Sequence, residues 1–261
     1  MPTSGIRRIN AGKNHYYKLD GERADGVTTL IGKGTPKPAL PYWAAKVVAE
    51  KVADAHEDYL WALRQEGRDA MVNQLKRAPW EQRDAAAVRG TEVHGFAEKL
   101  VSGEPVDVPD PLAGLVEQCA HFLDDWGVEP VLMERVVASR QWMYAGTFDL
   151  IADVRDGRRV LFDYKTAASG VWGETALQLA AYRNAETYLG TDDVTEVPVR
   201  EIGIEQCMAV WVRHDEYQVL PVESGEEVFR TFLHVAHVAR QMDRMRAWIG
   251  APQAAPKEIE S

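Results

Sequence analysis

The chain has 261 residues, 46% of them hydrophobic, which is enough for one large domain or for a domain carrying an extension. Forty Asp and Glu against thirty Lys and Arg give a formal net charge of −10. That balance excludes a general basic coat for nucleic acid but permits an enzyme with a local cationic groove. No run of about 20 apolar residues is present, and the opening MPTSGIRRIN lacks the apolar stretch of a secretion signal. A cytoplasmic protein that does not cross a membrane is expected. Cys119 and Cys207 stand far apart in no metal-binding spacing, which predicts reduced core thiols.

Residues 1–38 read as short strands and loops. His15–Leu19 and Val27–Ile31 are the predicted strands, with a polar turn at Asp20-Gly21. Pro36, Pro38 and Pro41 then mark a loop. An Ala-rich helix is predicted from Tyr42 to about Glu57 and a second from Tyr59 to Lys76. Tyr42, Trp43, Lys46 and Lys51 suit either a nucleic-acid path or an ordinary amphipathic face.

Pro79 is read as opening a further helix that runs to about Val101. Gly90, His94 and Glu98 recur every four residues and so share one face of it. Gly95 beside them hints at close packing. Residues 102–111 form a Pro-rich loop, Leu112–Trp126 a helix and Glu129–Ser139 a strand. Glu134 on that strand either approaches a site or pairs with a neighbouring Arg.

The segment from Trp142 to Lys165, WMYAGTFDLIADVRDGRRVLFDYK, reads as a strand hairpin. Arg155-Asp156-Gly157 suits a three-residue loop with Gly157 in the left-handed position. That loop pairs Val154 with Arg158, and counting back sets Asp149 opposite Asp163 and Thr147 opposite Lys165. Directly paired residues share a face, with Cβ atoms about 5 Å apart. Period two then places Asp163 and Lys165 on that face and Tyr164 on the other. Two carboxylates so close repel: either one stays protonated or a cation lies between them. A small divalent cation with oxygen ligands suits that gap.

A loop follows from Thr166 to Gly173, then a helix from Glu174 to about Leu189. Gln178 and Tyr182 are one helical turn apart, on the face that can aim at the carboxylates. Residues 201–213 and 216–222 read as strands and Glu226 to about Ile249 as the last helix. His234, His237, Arg230, Arg240, Arg244 and Arg246 on it read as an exposed basic face, with a His pair or phosphate contacts as the alternatives. Gly250–Ser261 reads as a disordered tail. Helix, three strands, helix, two strands and helix after a helical N-terminal extension predict a mixed α/β layer with a small sheet.

Gly90-Thr91-Glu92-Val93-His94, Gly146-Thr147-Phe148-Asp149, Asp163-Tyr164-Lys165-Thr166 and Gln178 with Tyr182 appear in this order on these elements. In this the chain resembles the PD-(D/E)XK nuclease superfamily, and within it the RecB-type exonucleases and related phage and CRISPR-associated nucleases. The similarity covers about residues 85–215. A softer one extends to Val27–Ala49 and phage-borne members. The resemblance implies a restriction-endonuclease-like α/β core over residues 81–249, with 1–80 as an extension and 250–261 as the tail. It implies His94, Asp149, Asp163 and the carbonyl of Tyr164 as ligands of Mg²⁺ or Mn²⁺. Asp149, Asp163 and Lys165 become the catalytic residues, with Lys165 positioning water. Gln178 and Tyr182 hold DNA, and Glu134 and Glu98 are further candidates. A DNA exonuclease of phage recombination or replication, acting in the host cytoplasm, is the implied activity. A flap endonuclease on the same fold and a non-catalytic DNA-binding module are the alternatives. DNA is the implied partner, with a single-strand annealing protein and self-association as further candidates. Several relatives hold an iron–sulfur cluster on four cysteines, which two cysteines cannot supply, so no cluster is expected.

Overall fold

The computed structural model describes residues 5–12 and 14–253, so the predicted tail falls outside the described residues from position 254 onward. It is a mixed α/β structure. Ten strands of the described residues join in one curled, mixed sheet with helices against both of its faces. No helix of the described residues is long and apolar enough to cross a membrane.

The chain opens on an antiparallel meander, β1 (Ile6–Ala11), β2 (Asn14–Leu19) and β3 (Glu22–Gly26). Its buried face carries Ile6, Tyr17, Leu19 and Ala24. The next segment departs from the strand predicted over Val27–Ile31: it is the helix α1 (Val27–Gly34). A run rich in Val, Thr and Ile favours a strand locally. However, Val27, Leu30 and Ile31 are spaced to share one helical face, and they join the core cluster with Phe232 and Ala236 of the last helix. Tertiary burial therefore overrides propensity here. The two helices meet closely at Gly34, where an added Cβ would lie 2.3 Å from the Val235 carbonyl oxygen. Gly34→Ala is expected to destabilise the fold by about 1–3 kcal/mol in urea unfolding; an unchanged midpoint would show that the contact yields freely.

Helix α2 (Ala39–Asp54) lies three residues earlier than predicted, and α3 (His56–Glu66) starts earlier and ends well before the predicted Lys76. The break comes at Gly67, with φ +87 and ψ 171, a conformation nearly confined to glycine. Helix α4 then runs unbroken from Arg68 to Val101, with Pro79 inside it rather than at its start. Proline lacks an N–H, so the helix gives up one backbone bond there, and its 34 residues still continue. Residue 80, where the extension was expected to give way to the core, lies inside this helix.

Helix α5 (Asp110–Trp126) precedes β4 (Glu129–Ser139), β5 (Tyr144–Asp153) and β6 (Arg159–Lys165). The turn between β5 and β6 has the predicted form: Val154 N–H donates to the Arg158 carbonyl at 3.0 Å, and Gly157 has φ +85. The pairs Asp153–Arg159 to Leu150–Phe162 follow in the counted register. Ile151 and Leu161 face the cluster of α1, α6 and α7, while Leu150 and Phe162 face that of α4 and α5. This two-sided burial accounts for the continuous apolar runs of both strands.

Helix α6 (Glu174–Arg183) ends six residues before the predicted Leu189. Thr187–Leu189 is instead β7, pairing with β4 and with β8 (Glu196–Pro198). The strand predicted over 201–213 is confined to β9 (Gln206–Val212), preceded by a 3-10 turn at Val199–Ile202. β9 pairs in parallel with β6, and β10 (Tyr217–Val222) is antiparallel to β9. Helix α7 (Glu226–Met242) closes the core and stops short of the predicted Ile249, with a 3-10 turn at Met245–Trp248.

Candidate metal centre

β5 has partners at both ends of one edge. β6 pairs with its C-terminal half through Leu150, and β3 pairs in parallel with Tyr144 and Ala145. Beyond Phe162, β6 leaves the β5 ladder and stays with β9 as far as Lys165. The divergence opens a gap beside Gly146–Asp149 and frees the backbone of Tyr164 on that side. Asp149 fills the need this creates: its Oδ2 accepts the Tyr164 N–H at 2.8 Å. The two carboxylates therefore do not lie simply side by side as the extrapolated register predicted. Asp149 reaches across to Tyr164, while Asp163 turns to other partners.

α4 supplies the imidazole. Val93 and Ala97 lock this helix against α5 and the sheet, which sets His94 over the gap. His94 Nε2 lies 3.0 Å from the Tyr164 carbonyl oxygen and Nδ1 lies 3.5 Å from Asp149 Oδ2. Glu134 completes the cluster: ligand atoms of His94, Glu134 and Asp149 all lie within 4.8 Å of one another. Glu134 sits in β4 between Met133, which pairs with Leu150, and Arg135, which pairs with Phe148. Its φ of +46 is strained for a residue with a side chain and redirects the strand locally. Nothing in the sequence signals that angle. Glu98 shares a small cavity with His94 and Glu134 but is itself exposed.

Asp163 is 2% exposed. Lys165 Nζ lies 2.5 Å from its Oδ2, so that oxygen is held in a close ion pair. Gln178 Nε2 donates to Asp163 Oδ1 at 2.7 Å, and Lys165 Nζ donates to Gln178 Oε1 at 3.1 Å. Tyr182 is almost fully buried, and its hydroxyl accepts from Gln178 Nε2 at 3.3 Å. Tyr182 packs onto Gly146, where an added Cβ would come 2.4 Å from its ring. The structure thus brings together His94, Asp149, Asp163, Tyr164, Lys165, Gln178 and Tyr182 of the four expected motifs. Gly95, expected in close packing, faces open space, and it is Gly90 that comes near Thr166.

Electrostatics divide these groups. Burial opposes charge on His94, but the carboxylate of Asp149 overcomes it and raises the imidazole to about 9. Burial also opposes ionisation of Asp149, yet His94, Lys165 and the Tyr164 N–H hold it below the usual carboxylate range. Burial pushes Asp163 up to about 6, against the pull of Lys165 and with the help of Asp149. Burial, then Asp149 and Glu98, push Glu134 to about 7.

His94, Glu134 and Asp149, with the Tyr164 carbonyl beside the imidazole, offer nitrogen and oxygen donors that could hold a divalent cation such as Mg²⁺ or Mn²⁺. Asp163 is the neighbouring carboxylate, its Oδ2 paired with the Lys165 ammonium. Cys119 and Cys207 are free thiols buried in different clusters and lie outside this set. A metal ion must displace the protons of these ligands. Below a group's pKa the proton holds the site, and above it the lone pair is free. With His94 at about 9, Glu134 at about 7 and Asp163 at about 6, manganese affinity is expected to climb from pH 6 to 9. Calorimetry in buffers of different ionisation enthalpy should record the released protons; a flat affinity would contradict these ligands.

His94, Glu134, Asp149, Gln178 and Tyr182 open onto a cleft of about 820 Å³. The other sequence candidates lie elsewhere. Tyr42 is exposed, Lys46 pairs with Glu50, and Lys51 pairs with Glu81. On α7, His234 and His237 are exposed, but Arg240 turns inward to Asp25 and to the carbonyls of Trp142 and Met143. No family model matches the chain, and no curated protein matches it.

Proposed function

We propose that the chain is a metal-dependent deoxyribonuclease of the PD-(D/E)XK kind, acting as an exonuclease. The observation that carries this reading is the lysine bridge: Lys165 links Asp163 to Gln178 beside the His94–Asp149–Tyr164 cluster. His94, Asp149, Asp163 and the Tyr164 carbonyl are the proposed ligands, with Glu134 as an additional carboxylate of the same cluster. A bound Mg²⁺ or Mn²⁺ would supply Lewis-acid polarisation of a phosphodiester and acidify an attacking water. Lys165 keeps an ammonium where negative charge develops on the phosphate and can hold the water in line. Gln178, held by Asp163, Tyr182 and Lys165, lines the cleft and keeps Lys165 and Asp163 in place beside the strand. Asp149 also fixes the Tyr164 backbone, so that its carbonyl stays aimed at His94.

The test is incubation with end-labelled linear duplex, labelled single strand and closed circular plasmid, each with Mn²⁺ and with EDTA. Manganese-dependent release of short products from linear DNA, with the plasmid intact, is expected. Cutting of the plasmid would make the enzyme an endonuclease, and no hydrolysis of any substrate would end the nuclease reading.

A further inference from the structure

The meander carries an arrangement that its own folding does not call for. Arg7 of β1 pairs directly with Lys18 of β2, and Lys18 pairs directly with Arg23 of β3. Directly opposed residues share a face, so three cations form one row across the three strands. The row lies on the reverse of the face that buries Ile6, Tyr17 and Leu19. Like charges in direct register weaken a sheet unless something neutralises them. Among the described residues none of the three has a carboxylate within ion-pair distance. Two of the meander's acids are engaged elsewhere, Asp20 with Arg140 at 2.6 Å and Asp25 with Arg240 at 2.8 Å, and the third, Glu22, stands opposite Leu19 rather than in the row. In a chain of net charge −10, an unneutralised cationic row stands out.

The row leads into the cleft. Arg23 stacks over the Tyr16 ring with its guanidinium carbon 5.0 Å from the centroid, and both residues line the cleft that contains His94 and Asp149. Arg8, on the other face, lines the same cleft, and its charge reaches Glu134. Tyr17 fastens the meander beside the metal centre, its hydroxyl 2.9 Å from Thr147 Oγ1. Cations interleaved with an accessible aromatic ring suit a strand whose phosphates and bases are both reachable. Tyr16, an aromatic ring set among these cations, can stack on an unpaired base, which a duplex does not offer, so the arrangement favours a single strand.

We propose that the Arg7–Lys18–Arg23 row is a docking track for the phosphate backbone of single-stranded nucleic acid, leading past Tyr16 into the cleft. The choice of ligand rests on the nuclease reading, and the test separates the two. Binding of a fluorescent single-stranded oligonucleotide is measured in EDTA across a salt series. The proteins compared are the unmodified chain, the triple variant Arg7→Gln/Lys18→Gln/Arg23→Gln, and Lys99→Gln in the last turn of α4, outside the lining of the cleft, as control.

Each phosphate contact on a single strand contributes about 0.7 to the slope of log affinity against log salt. The triple variant should lose about 2 from that slope and about tenfold or more in affinity at low salt, and Lys99→Gln should lose neither. Hydrolysis of a mononucleotide aryl ester with Mn²⁺, too short to reach Arg7 and Lys18 outside the cleft, should be unchanged in the double variant Arg7→Gln/Lys18→Gln. An unchanged slope, an equal loss on duplex DNA, or an equal loss on the short ester would overturn the track. Salt-dependent binding without hydrolysis by the unmodified protein would instead overturn the nuclease reading and leave the track standing.

Discussion

Asp149→Ala is expected to abolish manganese binding and to lower DNA cleavage by about 10³-fold or more, since a metal ion supplies several kcal/mol of transition-state stabilisation. The same change removes the acceptor of the Tyr164 N–H, a bond of 2.8 Å at the partly buried gap between the strands. A donor left unsatisfied there costs about 1–3 kcal/mol, so the alanine variant should also unfold earlier in urea. Asp149→Asn separates the two roles. Its amide oxygen still accepts from Tyr164, but the negative charge that balances His94 is gone. Stability close to that of the parent with cleavage lost identifies Asp149 as a ligand. Full cleavage by Asp149→Asn would remove it from that role.

Lys165→Met is expected to behave differently. Cleavage should fall by about 10²–10⁴-fold, the range for a positioned proton-transfer or charge-stabilising group, while manganese binding at pH 8 is retained. Lysine at 2.5 Å from Asp163 is the group that pulls this buried carboxylate toward ionisation. Its removal should therefore push the Asp163 pKa further up, and metal uptake should shift to higher pH than in the parent. Lys165→Arg should not restore cleavage, because a planar guanidinium cannot occupy the same point between Asp163 and Gln178. Loss of metal binding at pH 8 in Lys165→Met would mean that the lysine acts by building the metal site, not on the substrate.

The hairpin was legible because one turn fixes it. Arg155-Asp156-Gly157 admits a single register, and the apolar runs on both sides mark strands buried on both faces. The helix carrying His94 and the order of the later elements were legible for the same reason, from long periodic segments. What the sequence did not disclose arises from tertiary competition. Val27–Ile31 has the composition of a strand and is helical because α6 and α7 offer its apolar face a core. Pro79 reads as a start signal and is tolerated inside a long helix. β7 and β8, three residues each, are too short to show alternation.

At the centre itself, residue types were legible and their orientation was not. The divergence of β6 from β5 depends on β9 capturing β6 in parallel, a partner more than 40 positions away. Without that event Asp149 and Asp163 would be plain cross-strand neighbours. Glu134 enters the cluster through a backbone angle that no pattern of residues announces, which is why a surface ion pair with an Arg was an equal reading of it. The cationic row on the meander was hidden similarly: Arg7, Lys18 and Arg23 become neighbours only once the registers of two hairpins are known.

The most direct test of the account is anomalous diffraction from crystals of the protein soaked in manganese. A single strong peak bounded by His94, Asp149, Asp163 and the Tyr164 carbonyl, absent after the same soak of Asp149→Asn crystals, is the predicted result. An empty gap between β5 and β6 with manganese bound elsewhere, or a peak that persists in Asp149→Asn, would contradict it.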